Sequence, residues 1–315
     1  MSKINVGVST CLLGESVRYD GGHKLDRYVR DVLGEYFEYY PVCPEQESGM
    51  PTPREAMRLV GDEENHRLLT NKTGVDKTPM MKSYIDKKLP MLEKKELHGF
   101  IFKKDSPSSG LYRVKIYHEN GNPIGKGSGM FAAAYKKAFP NIPAEEDGRL
   151  NDPHLRENFI VRVFAHHRWK EFLKKDPSVG ELVEYHTREK MLMMAHSVEH
   201  YKTLGKITAL GSTIPKEELF AKFEKEYLEG LTFHATVKKN TNVLHHILGY
   251  FKKELSPWEK QEVLELVERY HRREVPLVVP LTLLNHFIRK YEKEYLIKQR
   301  YLNPHPSELM LRNFG

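Results

Sequence analysis

Cysteine is almost missing from this 315-residue chain, which carries only Cys11 and Cys43. Two thiols cannot staple a fold of this size, so a secreted disulfide framework is excluded and a reducing compartment is expected. There is no Cys-x-x-Cys pair and no histidine at zinc-finger spacing, which argues against a structural zinc site. Long apolar runs are missing as well: nothing approaches the roughly 18 consecutive apolar residues of a membrane span, so no membrane partner is expected. The opening MSKINVGVST has neither the apolar core nor the small-residue cleavage site of a secretory leader, and the expectation is a cytoplasmic protein. Repeats, low-complexity tracts and Ser/Gly linkers are absent, and no obligate protein partner is evident. A strong excess of one charge is also lacking: Lys+Arg number 50 against 43 Asp+Glu. The surplus is +2 over residues 1–150 and +5 over 151–315. That is compatible with nucleic acid in the second half without being specific for it.

What is present is an ordinary globular balance, 39% hydrophobic and 30% charged, at a length that suggests two domains. Residues 4–10 read as a buried strand ending at Cys11, and 25–39 carry apolar residues at helical spacing. FEYYPV at 37–42 is a second strand closing at Cys43, and PEQESGMPTPRE after it reads as loop. A helix is expected over 78–96, opened by Thr78-Pro79, then a strand at 99–104 and the polar turn DSPSSG at 105–110. A strand YRVKIYH, a turn at ENGN, a Gly-rich segment at 125–129 and the short helix MFAAAYKKAF follow. This alternation predicts an α/β N-terminal domain, residues 1–150, with a mostly parallel sheet. Strand signals then nearly vanish. Amphipathic runs at 155–175, 181–204, 215–230, 241–254, 256–271 and 280–298 predict an all-α C-terminal domain, residues 151–315.

In parallel sheets ligands gather outside the carboxyl ends of the strands. Cys11, Cys43 and the DSPSSG turn each lie just past a strand, so three loops point to one crevice. Glu45 is a carboxylate suited to proton transfer, and Arg18, Arg54 and Lys103 are cations able to hold an anionic or carbonyl group. Taken singly, each of these charges reads better as an exposed loop residue. Gly125, Gly127 and Gly129 precede a helix whose N–H groups could meet a phosphate, though a bare tight turn explains them as well. His196-Ser-Val-Glu199-His200 matches His-x-x-Glu-His on an expected helix. It is set aside as a zinc motif because 12 of the 16 histidines follow residue 150 and chance spacings are common. The methionines at 191–194 read as core packing.

The wording of the loops goes further. S-T-C-L-L-G at 9–14, V-R-Y-D-G at 17–21, P-V-C-P-E at 41–45, P-T-P-R at 51–54 and K-K-D-S-P-S-S-G at 103–110 together resemble the thiouracil desulfidase-like family across roughly residues 4–148. The resemblance implies three cysteines holding a [4Fe–4S] cluster with one iron left open, and removal of sulfur from a thiocarbonyl. Cys11 and Cys43 match two of those ligands; the third position reads Ser109. A hydroxyl is a hard, high-pKa donor, so three readings stay open. The serine ligates in a weaker cluster, another group fills the corner, or cluster and reaction are both lost. An introduced Cys→Ser exchange would look the same in sequence. By the same resemblance Glu45 is expected as general acid/base and Ser106 and Ser108 as hydrogen-bonding partners of substrate or cluster; Lys103 is expected with them among the catalytic residues, and Arg18 and Arg54 as substrate-binding cations. A turn-stabilising role beside Pro107 accounts for the serines equally well.

Residues 181–312 resemble the YbgA-like domain through Y-H-T-R-E-K at 185–190, M-A-H-S at 194–197, N-V-L-H-H-I-L-G-Y-F-K at 242–252 and V-P-L-T-L-L at 279–284. Such fusions are implied to act on thiolated tRNA, converting 4-thiouridine to uridine, while free thiouracil is implied for single-domain relatives. Arg188, Lys190, Lys238, Lys239, Lys252 and Lys253 could meet phosphates. A catalytically degenerate RNA- or nucleobase-binding protein without the cluster is the rival expectation. A third is a desulfidase of a free thiolated base whose helical domain serves assembly.

Overall fold

The structure is a computed structural model that describes residues 3–62 and 65–314. The chain divides into two compact units, Met1–Asp152 and Pro153–Gly315. Among the described residues no helix is long and apolar enough to cross a membrane.

The first unit is α/β. In chain order it runs through β1 (Ile4–Ser9), β2 (Phe37–Val42), a single helical turn α1 (Pro44–Glu47), β3 (Met57–Gly61), β4 (His66–Thr70), α2 (Thr78–Glu93), β5 (Gly99–Phe102), β6 (Val114–Tyr117), β7 (Pro123–Gly127), α3 (Met130–Ala138) and β8 (Ala144–Glu146). One sheet, ordered β2-β1-β5-β8, is parallel throughout. β1 and β5 are buried along nearly their whole length, as inner strands of a parallel sheet must be. Gly7 is required here because a Cβ would collide with the Phe100 ring on the neighbouring strand. The second sheet, β4-β3-β6-β7, is mixed: β3 pairs antiparallel with β4 and parallel with β6, and β6 pairs antiparallel with β7. The parallel expectation therefore describes only the first sheet. Phe100, Phe102, Phe131 and Tyr135 form the aromatic centre of this unit's core, with Phe100 and Phe102 stacked at 4.0 Å.

Three local expectations are corrected. The helix expected over 25–39 is two short turns, Tyr28–Val32 and Leu33–Glu35, because the chain is drawn into pairing with β1 from Phe37 onward. The stretch after Cys43 is not all loop: Pro44 opens α1, and the Glu47 carboxylate accepts the Cys43 N–H at 2.7 Å. The Gly-rich segment is mostly strand β7, and the α3 N–H groups are not open to a phosphate. Met130 N–H donates to Pro107 O at 3.1 Å, and Phe131 N–H to Ser108 O at 2.9 Å.

The second unit is helical: α4 (Pro153–Leu173), α5 (Val179–His196), α6 (Val198–Leu210), α7 (Lys216–Gly230), α8 (Val237–Leu248), α9 (Pro257–His271), α10 (Val278–Lys290) and the short α11 (Glu294–Ile297). The run expected as one helix over 181–204 breaks at Ser197, whose extended backbone ends α5 and whose hydroxyl caps α6 by accepting the His200 N–H. Ser178 and Ser256 open α5 and α9 with reciprocal capping boxes to Glu181 and Glu259. Trp169, Phe223, Tyr227 and Met191, Met193 and Met194 lie in the core. Glu189, 2% exposed, is held there by Arg168 at 3.0 and 3.2 Å and by the Tyr227 hydroxyl at 3.0 Å.

Candidate active site

Four parallel strands in one sheet place four strand ends at one edge. β1 runs into the turn Thr10–Leu13 carrying Cys11, β2 into Cys43 and α1, β5 into Lys103 and the 105–110 loop, and β8 into Asp147. These loops enclose a cavity of about 390 Å³. Every site residue expected from sequence lines it: Cys11, Cys43 and Ser109; Glu45, Ser106 and Ser108; and Arg18, Arg54 and Lys103.

Glu45 is the hub. Its Oε2 accepts from Arg54 Nε at 2.9 Å and from Arg54 Nη2, and its Oε1 accepts from Ser108 Oγ at 2.8 Å and Ser106 Oγ at 3.5 Å. A carboxylate only accepts, so the Ser108 proton points to Glu45, and Ser106, 3.0 Å from Ser108 Oγ, donates to one or the other. Ser106 Oγ in turn accepts the Ser109 N–H at 3.1 Å. The hydroxyls thus form a short relay ending on one carboxylate oxygen. Arg54 commits its remaining donor, Nη1, to Val17 O, Pro51 O and Thr52 Oγ1, so it acts first as the brace of Glu45. Arg18 is more open: it meets Asp20 at 3.3 Å with its side chain 21% exposed. Lys103 Nζ is paired with Asp147 at 2.9 Å.

The serine loop is fixed from behind by residues the sequence reading passed over. Glu146 accepts the N–H groups of Leu111 and Tyr112 at 2.8 and 2.9 Å, and Asp147 accepts that of Lys104 at 2.7 Å. Gly129 N–H donates to Gly110 O at 2.7 Å, and a Cβ on Gly129 would stand 2.6 Å from the Ser108 carbonyl carbon. Glu47, besides capping Cys43, binds Lys88 at 2.6 Å and Tyr84 at 3.1 Å, which ties α1 to α2. Their signal was the A-E-E-D run at 144–147, readable only once β8 is known to lie beside β5.

Against the cluster that the resemblance implies, the donors divide. Cys11 and Cys43 are both free thiols. Burial pushes Cys11 up to about 11, opposed chiefly by the Lys103 ammonium and reinforced by Cys43. Burial also raises Cys43, against a hydrogen bond from the Gln46 backbone. Such thiols stay protonated until a soft metal displaces the proton, and Lys103 and Arg18 stand by to balance thiolate charge. Ser109, at the position where the resemblance expects the third ligand, is 5% exposed, and its hydroxyl lies 3.4 Å from Ser108 Oγ. Among the described residues no group of three His, Cys, Asp or Glu side chains is placed to hold a metal ion. Cys11, Cys43 and Ser109 line one cavity, which offers two sulfur donors and one hydroxyl oxygen.

In the helical unit His196 and His200 fall on different helices. His196 Nδ1 donates to Phe233 O at 2.7 Å and His200 Nδ1 pairs with Ser197 Oγ at 2.8 Å, an arrangement unlike a metal-binding pair on one helix. Of the basic residues singled out, Lys239 is engaged by the His196 and His234 carbonyls and Arg188 meets Glu184. Lys190 lies over the Tyr295 ring at 5.0 Å, and Tyr295 stacks on the exposed Tyr250 at 5.0 Å. Tyr250 and Lys252 border an open hollow with Asn242 and His246.

The family model described as 2-thiouracil desulfurase matches residues 6–147, and the model described as a protein of unknown function, DUF1722, matches residues 190–306. The chain is 29% identical over 167 residues to the uncharacterized protein YbgA of Escherichia coli K12, covering 53% of this chain and 99% of that protein. It is 32% identical over 153 residues to the uncharacterized protein YbbK of Bacillus subtilis 168, covering 46% and 97%. A solved structure titled [4Fe-4S]-dependent thiouracil desulfidase TudS shares 28% identity, with a TM-score of 0.39, over 48% of this chain and 95% of that one.

Proposed function

Because the chain belongs through its first half to the 2-thiouracil desulfurase family, we propose that it removes sulfur from a thiolated pyrimidine base. Water replaces sulfur at the thiocarbonyl carbon, and sulfide leaves with the two protons that water brings, so no net redox occurs. The observation that carries this reading is the Glu45–Ser108 hydrogen bond beside two free cysteines in one cavity. A group must hold a proton between attack of water and departure of sulfide; Glu45 is placed to do so, with the serine hydroxyls positioning water or substrate. Arg54 keeps the Glu45 carboxylate aimed at the serines, and Arg18, the more open cation, meets the base. Cys11, Cys43 and Ser109 would hold the cluster. When bound, the cluster supplies a soft Lewis-acid iron matched to sulfur.

The finer reading is 4-thiouridine in tRNA. It is supported by the +5 surplus of residues 151–315 and by the Lys190, Tyr295, Tyr250 and Lys252 group, which offers cations beside a stacked aromatic pair. A second reading, a binding protein without the cluster, is favoured by one observation, the hydroxyl of Ser109 at the third corner.

The deciding experiment measures iron and acid-labile sulfide after anaerobic reconstitution of this chain and of Ser109→Cys. Sulfide release from 2-thiouracil and from 4-thiouridine-containing tRNA is then assayed. About four irons with release of sulfide by the unaltered chain supports the desulfidase. Iron and release gained only in Ser109→Cys supports the binding protein.

A further inference from the structure

Residues 17–19 line the cavity at the strand ends, and the turn that carries them is held at several points. Arg18 N–H donates to Gly22 O at 3.2 Å, and Gly21 N–H donates to Arg18 O at 3.0 Å. Gly21 sits at φ +76°, a conformation that favours glycine. Asp20 Oδ1 accepts the Gly22 N–H at 3.1 Å, and Arg54 N–H donates to Tyr19 O at 2.7 Å, which ties the turn to the 51–54 loop. On this turn two neighbours orient the Arg18 guanidinium. Its Nε and Nη2 face the two Asp20 carboxylate oxygens at 3.3 and 3.4 Å, and its central carbon lies 5.4 Å from the Tyr19 ring centre.

The other cations in the middle of the cavity are differently employed. Arg54 spends its donors on Glu45 and on the oxygens of residues 17, 51 and 52, and Lys103 is paired with Asp147. Tyr19, 43% exposed, is the single aromatic ring among the described lining residues. A carboxylate already at its edge makes Arg18 a poor site for a further anion, since the fork that would grip one is turned to Asp20. What the guanidinium keeps to offer is a flat, weakly hydrated face, the kind of surface on which bases stack.

We propose that Arg18, backed by the Tyr19 ring and aligned by Asp20, is the stacking platform for the pyrimidine ring, so that the site selects a flat base by contact with a π face rather than by charge. This rests on the desulfidase reading of the same cavity. The face turned away from Tyr19 takes the base, whose edge then points to Glu45 and the serines. Asp20 and Tyr19 are positioning residues: the first sets the rotation of the guanidinium plane and the second supports it from behind. A lysine at this position would keep the charge and lose the plane. A thiocarbonyl compound with a puckered ring would meet the same edge groups and lose the stack.

The test is equilibrium dialysis of the full, cluster-free chain against 2-thiouracil and 5,6-dihydro-2-thiouracil, at a pH where both are neutral. The two compounds share the thiocarbonyl, the carbonyl and both N–H groups, and only the first has a flat aromatic ring. The unaltered chain should prefer 2-thiouracil by about tenfold. Arg18→Lys should abolish that preference by weakening 2-thiouracil alone. Tyr19→Ala should reduce the preference and Tyr19→Phe should keep it, which a merely structural role for the turn would not produce. Equal affinity for the two rings or no binding by the unaltered chain overturns the platform. So does full 2-thiouracil affinity in Arg18→Lys, or parallel weakening of both compounds in that variant. Dialysis needs neither cluster nor turnover, and sulfide release is assayed separately. A chain that releases no sulfide yet keeps the preference loses the desulfidase reading alone, and one that releases sulfide without the preference loses the platform alone.

Discussion

Ser108 Oγ donates to Glu45 Oε1 across 2.8 Å, joining the loop after β5 to the turn after β2. Residues 63 positions apart become one acid–base unit only because β1 sits between those two strands in a parallel sheet. Glu45→Gln keeps the shape and removes the proton acceptor, so sulfide release should fall about 10²–10⁴-fold. Ser108→Ala removes one hydrogen bond and should cost about tenfold. Iron content measured alongside should be unchanged in both variants. A Glu45→Gln chain that retains full turnover sinks the assignment.

Gly129 offers a test of how tightly the serine loop must be held. Its ideal Cβ position is 2.6 Å from the Ser108 carbonyl carbon and 2.7 Å from the Ser108 oxygen, both backbone atoms that cannot rotate aside. Gly129→Ala should therefore destabilise the first unit by roughly 1–3 kcal/mol and shift Ser108 away from Glu45. Chemical denaturation should show the loss, and turnover should drop further than stability alone explains. An unchanged melting midpoint means that the loop yields.

The inner strands of the first sheet were readable because INVGVS and GFIF are almost continuously apolar, the mark of strands covered on both faces. The helices of the second unit were readable from their periodicity, and so were the three loops at the strand ends, since a strand followed by Cys, Pro or Ser leaves few alternatives. β3 and β4 were not readable: MRLVG and HRLLT are short, carry Arg and His, and earn their pairing only across the second sheet. β7 was hidden by its glycines. The break at Ser197 was masked because apolar residues continue through it, and only the Ser197 hydroxyl on the His200 N–H marks a new helix. Glu146 and Asp147 gave no signal of their own, since their work at the site depends on β8 lying beside β5.

The buried histidines of the second unit predict acid lability. Burial holds His196 at about 4 against an ordinary 6.5, with the Phe233 carbonyl opposing, and burial places His186 and His305 at about 4 as well. Between pH 6.5 and 4 the unfolded chain carries these protons and the folded chain does not. Stability is therefore full above pH 6.5 and falls as the pH drops towards 4. At about 1.4 kcal/mol per pH unit, His196 alone accounts for roughly 3 kcal/mol by pH 4. Urea unfolding of the cluster-free chain at pH 7.5 and pH 5 should show the decline, and His196→Gln should make it shallower. Identical slopes for the two chains refute His196 as a contributor.

Tyr250 and Lys252 border the same hollow yet should report RNA contact in different currencies. Tyr250 is exposed and already stacked on Tyr295, whose ring Lys190 covers, so a base laid on it meets a preordered aromatic pair rather than a mobile side chain. Stacking is insensitive to salt; Tyr250→Ala should weaken tRNA binding by about 1–3 kcal/mol while leaving the slope of log affinity against log salt unchanged. Lys252 would act through a phosphate and the counterion it displaces. Lys252→Ala should therefore reduce that slope by about 0.7–0.9 and matter less as salt rises. Filter binding of tRNA at several salt concentrations separates the two effects. If both substitutions change only the slope, the tyrosine pair is not a stacking platform, and if neither changes anything, the RNA lies elsewhere on the protein.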